Sequence, residues 1–478
     1  MRKCWLGVTL SAGLSLAAGP GSRGEDLNDA WAIALRVNQG LQSQQATSLS
    51  RGFESAAARS ARYPTVRTFT FNASLTATPM ISTAGIVPSS AGAGAAGGAA
   101  GAGAGAGPAA AAGGAAPYVP VLGNGQRDLP VSLVTASIPL YTGGKILRNI
   151  DAADARANAQ RSEEYRTALD LKLIVASAYV GVLRAGKNLD VARSNVEQLT
   201  SFARDVRNRT EQGMAIRSDQ LAADVSLNNA RVLLIQSRAN LASAWATYNR
   251  YLCRPVTATA PLMDLNAVPP GGDPDRLTAE AERLTSVQPD ESESDALMQR
   301  AVEIRPELAG LREQARAYRA QAEATRANLR PQVSFNMANV YLGSNRTTPQ
   351  DIGAATFLID WTFTDSFQTR RQAAAQRQQE IATAKRRNDA AADVALEVRT
   401  RWLDQFQARQ RVPVARLAIA QAQENVRVIT DRYREQRATY TEVLDAETRR
   451  VQSLTNFYNA VYDDILAGFR LHRAVGDL

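Results

Sequence analysis

One histidine and two cysteines in 478 residues leave little material for metal or thiol chemistry. The histidine, His472, lies four residues after Gly468 on the apolar stripe of the last helical segment, where a packing or solvent role accounts for it. Cys4 sits at the extreme N-terminus ahead of an apolar run. A chain that has lost its leader keeps Cys253 alone and can form no internal disulfide. Cys253 reads as a small buried hydrophobe near a helix end. There is no His/Cys cluster, no Ser-centred elbow and no phosphate loop with its lysine, so no catalytic, cofactor-binding or metal residues are expected. The paired acids Asp463-Asp464 are sequence neighbours on a helix and do not face each other. Gly92 to Gly97 matches a dinucleotide fingerprint only because Gly/Ala repeats generate it, with no strand and helix around it. Long apolar runs are missing as well. The nearest approach, Leu171–Leu183, is short and carries Lys172, so no helix of the mature chain can span a bilayer. A β-barrel is then the only way this chain could cross one. The net charge of +9 raises nucleic acid as a partner. The arginines, however, are spread along helices and interleaved with acids, as in Arg204-Asp205 and Asp431-Arg432, which describes solvated helix faces. No nucleic-acid partner is expected.

What the chain does have is a repeat. Ala34-Leu35, Leu41 and Pro64 are answered by Ala301-Val302, Leu308 and Pro331, each 267 positions later. Tyr141 is answered by Phe363 at 222 positions, and Leu221 by Leu444 at 223. The offset changes once, inside a loop of the first copy that holds a Gly/Ala tract at 89–116. The reading is a duplicated unit with one loop expanded. Residues 1–24 are a secretory leader, with a basic start, the apolar run Trp5 to Ala18 and small residues before a cleavage point between Ala17 and Gly24. The first repeat is 25–253, a Pro/Gly/Asp/Ser-rich linker is 254–292, and the second repeat is 293–478.

Each repeat has the same order of elements. A helix leads to Tyr63-Pro64 or Arg330-Pro331, where the residue before proline leaves the helical region. Alternating segments follow: Phe69, Phe71, Ala73 and Leu75 against Thr68, Thr70, Asn72 and Ser74; then 129–141; then Val333, Phe335, Met337 and Tyr341 against Gln332, Ser334, Asn336 and Ala338; then Ala355, Phe357, Ile359 and Trp361 against Thr356, Leu358, Asp360 and Thr362. Period-two alternation over about 10–12 residues is the pattern of a tilted membrane strand, with lipid on one face and water on the other. Tyr141, Tyr341, Trp361 and Phe363 fall where an aromatic girdle would lie. After each strand pair comes a long helix. No proline occurs between Pro139 and Pro255, and the helical pattern from Gly143 to Gln212 would extend roughly 100 Å. Leu169, Leu173, Ala176, Val180 and Leu183, and then Ala192, Val196, Leu199, Ala203 and Val206, keep a 4-3 rhythm. The returning helices repeat it at Leu221, Val225, Asn228, Val232 and Ile235, and at Val451, Leu454, Tyr458, Val461 and Ile465. These are coiled-coil hairpins, turning at Glu211 to Met214 and at Glu435 to Ala438. Pro413 is expected to kink or break the second long helix. Four strands cannot close a barrel. Eight, from two copies, leave an interior just filled by side chains, and twelve, from three copies, leave a water-filled lumen.

In this order of elements, in Arg305-Pro306-Glu307-Leu308 opening the second copy, in Val443-Leu444-Asp445-Ala446 after the second turn, and in Gly213 with Ser218-Asp219 at the first, the chain resembles the TolC family of trimeric outer-membrane channel proteins. Two positions depart from that pattern: Asn38 to Leu41 lacks the proline, and Gln436-Arg437 stands where the family shows a glycine. The resemblance implies a mainly α protein with transmembrane β: a trimeric twelve-stranded β-barrel in the outer membrane, in contact with its lipid, continued by a long α-helical barrel in the periplasm. It implies the passive exit duct of a tripartite efflux pump or type I secretion system, a homotrimer served by a periplasmic adaptor and an inner-membrane pump. It also implies site residues. Glu442 and Asp445 occupy the positions of acidic rings at the periplasmic constriction, and Asp219 and Tyr433 those that hold neighbouring hairpins closed. Arg437 is near enough to join them. The turns, with Gln212, Gly213, Met214, Gln436 and Ala438, would meet the adaptor. The alternative is a non-transporting periplasmic coiled-coil adaptor, which would carry a compact β-rich domain between its helices.

Overall fold

A computed structural model describes residues 24–74, 80–82, 118–120, 128–214, 216–266, 268–270, 273–343 and 349–478. The leader and the Gly/Ala tract, with the expectations placed on them, lie outside the described residues. In chain order the elements are α1 (Leu27–Val37), α2 (Gln39–Ser60), β1 (Thr65–Ser74), the short β2 (Met80–Ser82) and β3 (Tyr118–Pro120), β4 (Asp128–Tyr141), α3 (Lys145–Glu211), α4 (Arg217–Tyr251), α5 (Pro274–Thr285), α6 (Glu291–Ile304), α7 (Pro306–Arg326), β5 (Gln332–Leu342), β6 (Asp351–Asp360), α8 (Gln368–Arg434) and α9 (Tyr440–Val475). No described helix is long and apolar enough to cross a membrane. The order α2, β1, β4, α3, α4 recurs as α7, β5, β6, α8, α9. The compact units of the fold are not the repeats. One unit gathers the N-terminal residues through Ala46 with Ser162–Leu308 and Asp389–Leu478, the other Thr47–Arg161 with Ala309–Asn388, so each draws on both copies.

The second unit holds a four-stranded antiparallel sheet in the order β1-β4-β5-β6. The register runs Val66↔Ala136↔Met337↔Ala355 and Phe69↔Leu133↔Val340↔Ile352 across all four strands. It slips between Pro139 and Tyr141, where Pro139 has no N–H to give to the ladder. One face carries Val66, Ile138, Val333, Phe335, Met337, Phe357 and Ile359 near the strand ends that meet the helices, and the rings of Phe335 and Phe357 lie 4.9 Å apart. Phe69 and Phe71 lie on the face opposite Phe335 and Phe357, beside Leu133 and Val131.

The first unit is helical. Along α3 the predicted stripe is a true seam: Leu169, Ala176, Val180, Ala192, Leu199, Ala203 and Val206 are buried. Along α4 it is not. Leu221, Val225, Val232 and Ile235 are 53, 59, 63 and 65% exposed, while Ala223, Leu227 and Ala230, on another face, are buried. Pro413 does not break α8, which stays helical from Gln368 to Arg434. The start of the 254–292 linker is tied to the core rather than loose. Arg254 forks onto the Glu25 carboxylate at 2.8 and 3.0 Å, and the Tyr248 hydroxyl donates to it at 3.1 Å. The Tyr179 hydroxyl lies within hydrogen-bonding distance of the Glu25 and Met263 carbonyls, at 2.8 and 2.6 Å, and burial pushes its pKa up to about 12. Cys253 is not buried as expected. It is exposed, at φ +52 just past the end of α4, with Sγ 3.5 Å from the Val37 carbonyl. His472 is at the surface, 3.1 Å from Asp477.

Candidate functional site at the hairpin turns

The two helical turns use the same backbone device with different residues. In the first, Met214 N–H donates to the Arg209 carbonyl at 2.8 Å and Gly213 N–H to Thr210 at 3.0 Å. In the second, Arg437 N–H donates to the Arg432 carbonyl at 2.8 Å and Gln436 N–H to Tyr433 at 3.0 Å. Both are paired helix-ending bonds that need a left-handed residue. Gly213 takes it at φ +72, and Gln436 at φ +59. The glycine pays no steric penalty there, whereas an L-residue carries roughly 1–2 kcal/mol of strain. This is the position where the sequence departs from the family pattern, and the backbone keeps the turn regardless.

The helices re-start differently. Ile216 caps α4 with no side-chain hydrogen bond, whereas Thr439 and Glu442 form a reciprocal capping box on α9. The Glu442 carboxylate accepts from Thr439 N–H at 3.2 Å and from its hydroxyl at 2.9 Å, and these bonds hold its pKa below the ordinary range. Glu442 therefore has a structural task whatever else it does. Asp445, one turn on, is exposed.

Between the turns lies an aromatic cluster whose members Phe202 and Tyr440 have no place in the sequence reading, although Tyr433 and the helix stripe around it do. Phe202 stacks on Tyr440 at 5.4 Å and on Tyr433 at 5.8 Å, and the Arg209 guanidinium sits 5.2 Å from the centre of the Tyr433 ring. Leu199, Val206, Ala223, Leu227 and Val443 complete this core, which joins both hairpins of one chain. The missed signal was Phe202 falling between the heptad positions of α3, the flank that a second helix pair covers. Tyr433 and Tyr440 are buried, and burial raises both phenols, with the Asp219 carboxylate adding to the rise and Arg209 opposing it at Tyr433. Asp219, in the first turn of α4, is half-buried. Arg437 does not join this group within one chain; it is exposed and pairs with Glu435 at 3.3 Å. Gln212, Gly213, Met214 and Gln436 are exposed at the turn tips, and Ala438 packs against the cluster. Among the described residues no acid, His or Cys group is arranged to hold a metal.

The solved outer-membrane channel OprN matches with a TM-score of 0.69 at 16% identity, over 95% of this chain and 90% of that one. The outer membrane protein VceC of Vibrio cholerae matches at 0.69 and 14%, over 94% and 96%, and the MtrE outer membrane channel of Neisseria gonorrhoeae at 0.68 and 14%, over 94% and 88%. At these identities the likeness shows the fold, that of the TolC-like channels. Residues 121–252, which span β4, α3 and α4, match the profile of the outer membrane efflux protein family. No curated protein matches the chain. The chain thus has the fold of the TolC-like outer-membrane channels, and its residues 121–252 match the outer membrane efflux protein family.

Proposed function

We propose that three copies assemble into a passive exit duct, closed at rest at its periplasmic end and opened there by an adaptor and an inner-membrane pump. The observation that carries this is what a single chain leaves unfinished. In the four-stranded sheet β1 and β6 each have one neighbour, and such edges seek a partner strand. On α4 the stripe Leu221, Val225, Val232 and Ile235 is left open, too regular and apolar to face water. Pairing β6 of one copy with β1 of the next, and seating this stripe on the neighbouring copy, satisfies both needs around one axis. The aromatic residues at the strand ends, Tyr141, Tyr341, Trp361 and Phe363, are all exposed and suit the lipid interface.

At the hairpin end, Asp219 and Tyr433 are the lock of the closed state, with Arg437 contributing charge from the surface. Glu442 and Asp445 bring carboxylates around the axis, which favours cations. Gln212, Gly213, Met214, Gln436 and Ala438 form the rim that the adaptor meets. Mass measurement of the detergent-extracted protein tests the assembly: the expected result is three chains per particle, and a stable monomer or dimer would overturn it.

A further inference from the structure

The sheet register puts two apolar rows where a water-filled barrel would not be expected to have them. Phe69, Leu133, Val340 and Ile352 form one row across four strands, and Phe71, Val131 and Leu342 form the next. They share their face with Arg67, Ser137, Asn336 and Thr356, a polar stretch nearer the helices in which Ser137 donates to Asn336 at 2.7 Å. Burial along β5 separates the two faces. Asn336, Ala338 and Leu342 are buried, while Met337, Asn339 and Tyr341 between them are exposed. The same alternation runs through β6 and, more weakly, β4. A sheet that curls toward a barrel shelters its concave face, so the two rows lie on the concave side and Met337 and Phe357 on the convex one. On the edge strand β1, Phe69 and Phe71 are 51 and 53% exposed in the single chain. In a barrel closed by this sheet the concave face is the lumen.

The charges on the concave face are few. Among the described strand residues it carries Arg67, level with Thr135, Ala338 and Ala354, and Asp360, level with Gln332. Asp360 lies six residues further along β6 than Ala354, about 20 Å away. Arg67 lies two residues, about 7 Å, from Phe69. A guanidinium beside two aromatic side chains and a band of aliphatic ones binds a molecule with an apolar body and one negative group. The anion pairs with the guanidinium, and the apolar body covers the rings.

We propose that the outer part of the duct carries a lumenal apolar collar, edged by Arg67, that is a contact site for amphiphilic anions in transit. It rests on the duct reading above and names the class of solute that the barrel end would favour. The test is single-channel recording of the purified full-length protein with 8-anilinonaphthalene-1-sulfonate added on the side of the barrel loops. The expected result is flickering block by this anion, and none by methanesulfonate, which has the charge without the apolar body. Phe69→Ser with Phe71→Ser should weaken block about tenfold, the loss of about 1.4 kcal/mol. Arg67→Gln should remove the preference for the sulfonate over a naphthyl ammonium ion. Block unchanged by the paired phenylalanine replacement would overturn the collar. A second readout guards against misfolded variants. In a Cys253→Ser background, a charged water-soluble thiol reagent should lower the current through Phe71→Cys and leave that through Met337→Cys unaffected. The reverse pattern would place the collar against lipid and overturn it while leaving a working duct. A wild-type protein that carries no current would instead remove the duct reading, and the collar with it.

Discussion

Replacing Arg473 by Met is expected to destabilise the helical unit by about 3–5 kcal/mol, the usual cost of stripping one partner from a buried ion group. Arg473 is 8% exposed near the end of α9, and its guanidinium reaches Asp170 of α3 at 2.6 Å and Glu307 of α7 at 2.9 Å. Arg305, 6% exposed, pairs with the same Glu307 at 3.1 Å and with Glu397 of α8, and donates to the Ala474 carbonyl at 2.8 Å. Four helices and the segment before α7 thus meet at one set of charges, in which the two arginines are buried and the acids reach toward the surface. Burial by itself would raise the Glu307 carboxyl, but the hydrogen bond from Arg473 and the charges of both arginines hold it below its usual value. A depressed carboxylate stabilises the fold above its unfolded pKa, and that stability is lost as pH falls through the folded value. Melting of the wild type should therefore be flat from neutral pH into mild acid and fall only below the ordinary carboxylate range. Thermal melts in detergent check the substitution. Arg473→Met with Glu307→Gln should cost clearly less than the sum of the two single changes, because the double variant leaves fewer charges stranded. Strict additivity would show that these residues are not one network.

The second large effect is expected at the turns. Asp219→Ala with Tyr433→Phe should raise resting single-channel conductance several-fold. Tyr433→Phe keeps the ring and its packing on Phe202 and Tyr440, and removes only the hydroxyl. Each hydrogen bond at this site, where Tyr433 is buried and Asp219 half-buried, is worth ~0.5–1.5 kcal/mol, and the three copies of the proposed trimer would multiply it. Melting temperature should hardly move, which separates an opened lock from a damaged turn. Changing Glu442 would not give so clean a result, because its carboxylate caps α9. Resting conductance unchanged in the double variant would place the closing contacts elsewhere.

Much of this was legible in the sequence, and the exceptions have physical reasons. Missing prolines and heptad spacing gave the long helices to within a few residues, and alternation gave all four long strands. Alternation fixes the two faces of one strand, but only register decides which face of β1 joins which face of β4. That is why alternation alone could not put Phe69 and Phe71 on the face opposite Phe335 and Phe357. A 4-3 apolar stripe says that a helix face is covered and not by what. On α3 the cover is the same chain, and on α4 the chain leaves the stripe bare. Cys253 was expected inside on composition alone, but the left-handed turn ending α4 sets it outside. At the turns, Gly213 announced its backbone and Gln436 did not, since the bonds that hold Gln436 at φ +59 come from neighbouring carbonyls rather than from its own identity. The Arg305, Glu307 and Arg473 network was half visible as the Arg305-Pro306-Glu307-Leu308 motif. Its partner stands 166 residues later and had no local signal.

The most direct measurement is the current carried by the purified wild-type protein in a planar lipid bilayer. The account predicts small, discrete, cation-preferring conductance steps at rest, consistent with a water-filled barrel closed at its far end. Folded, detergent-extracted protein that inserts and yet passes no discrete current, in the wild type and in the Asp219→Ala, Tyr433→Phe variant alike, would contradict it.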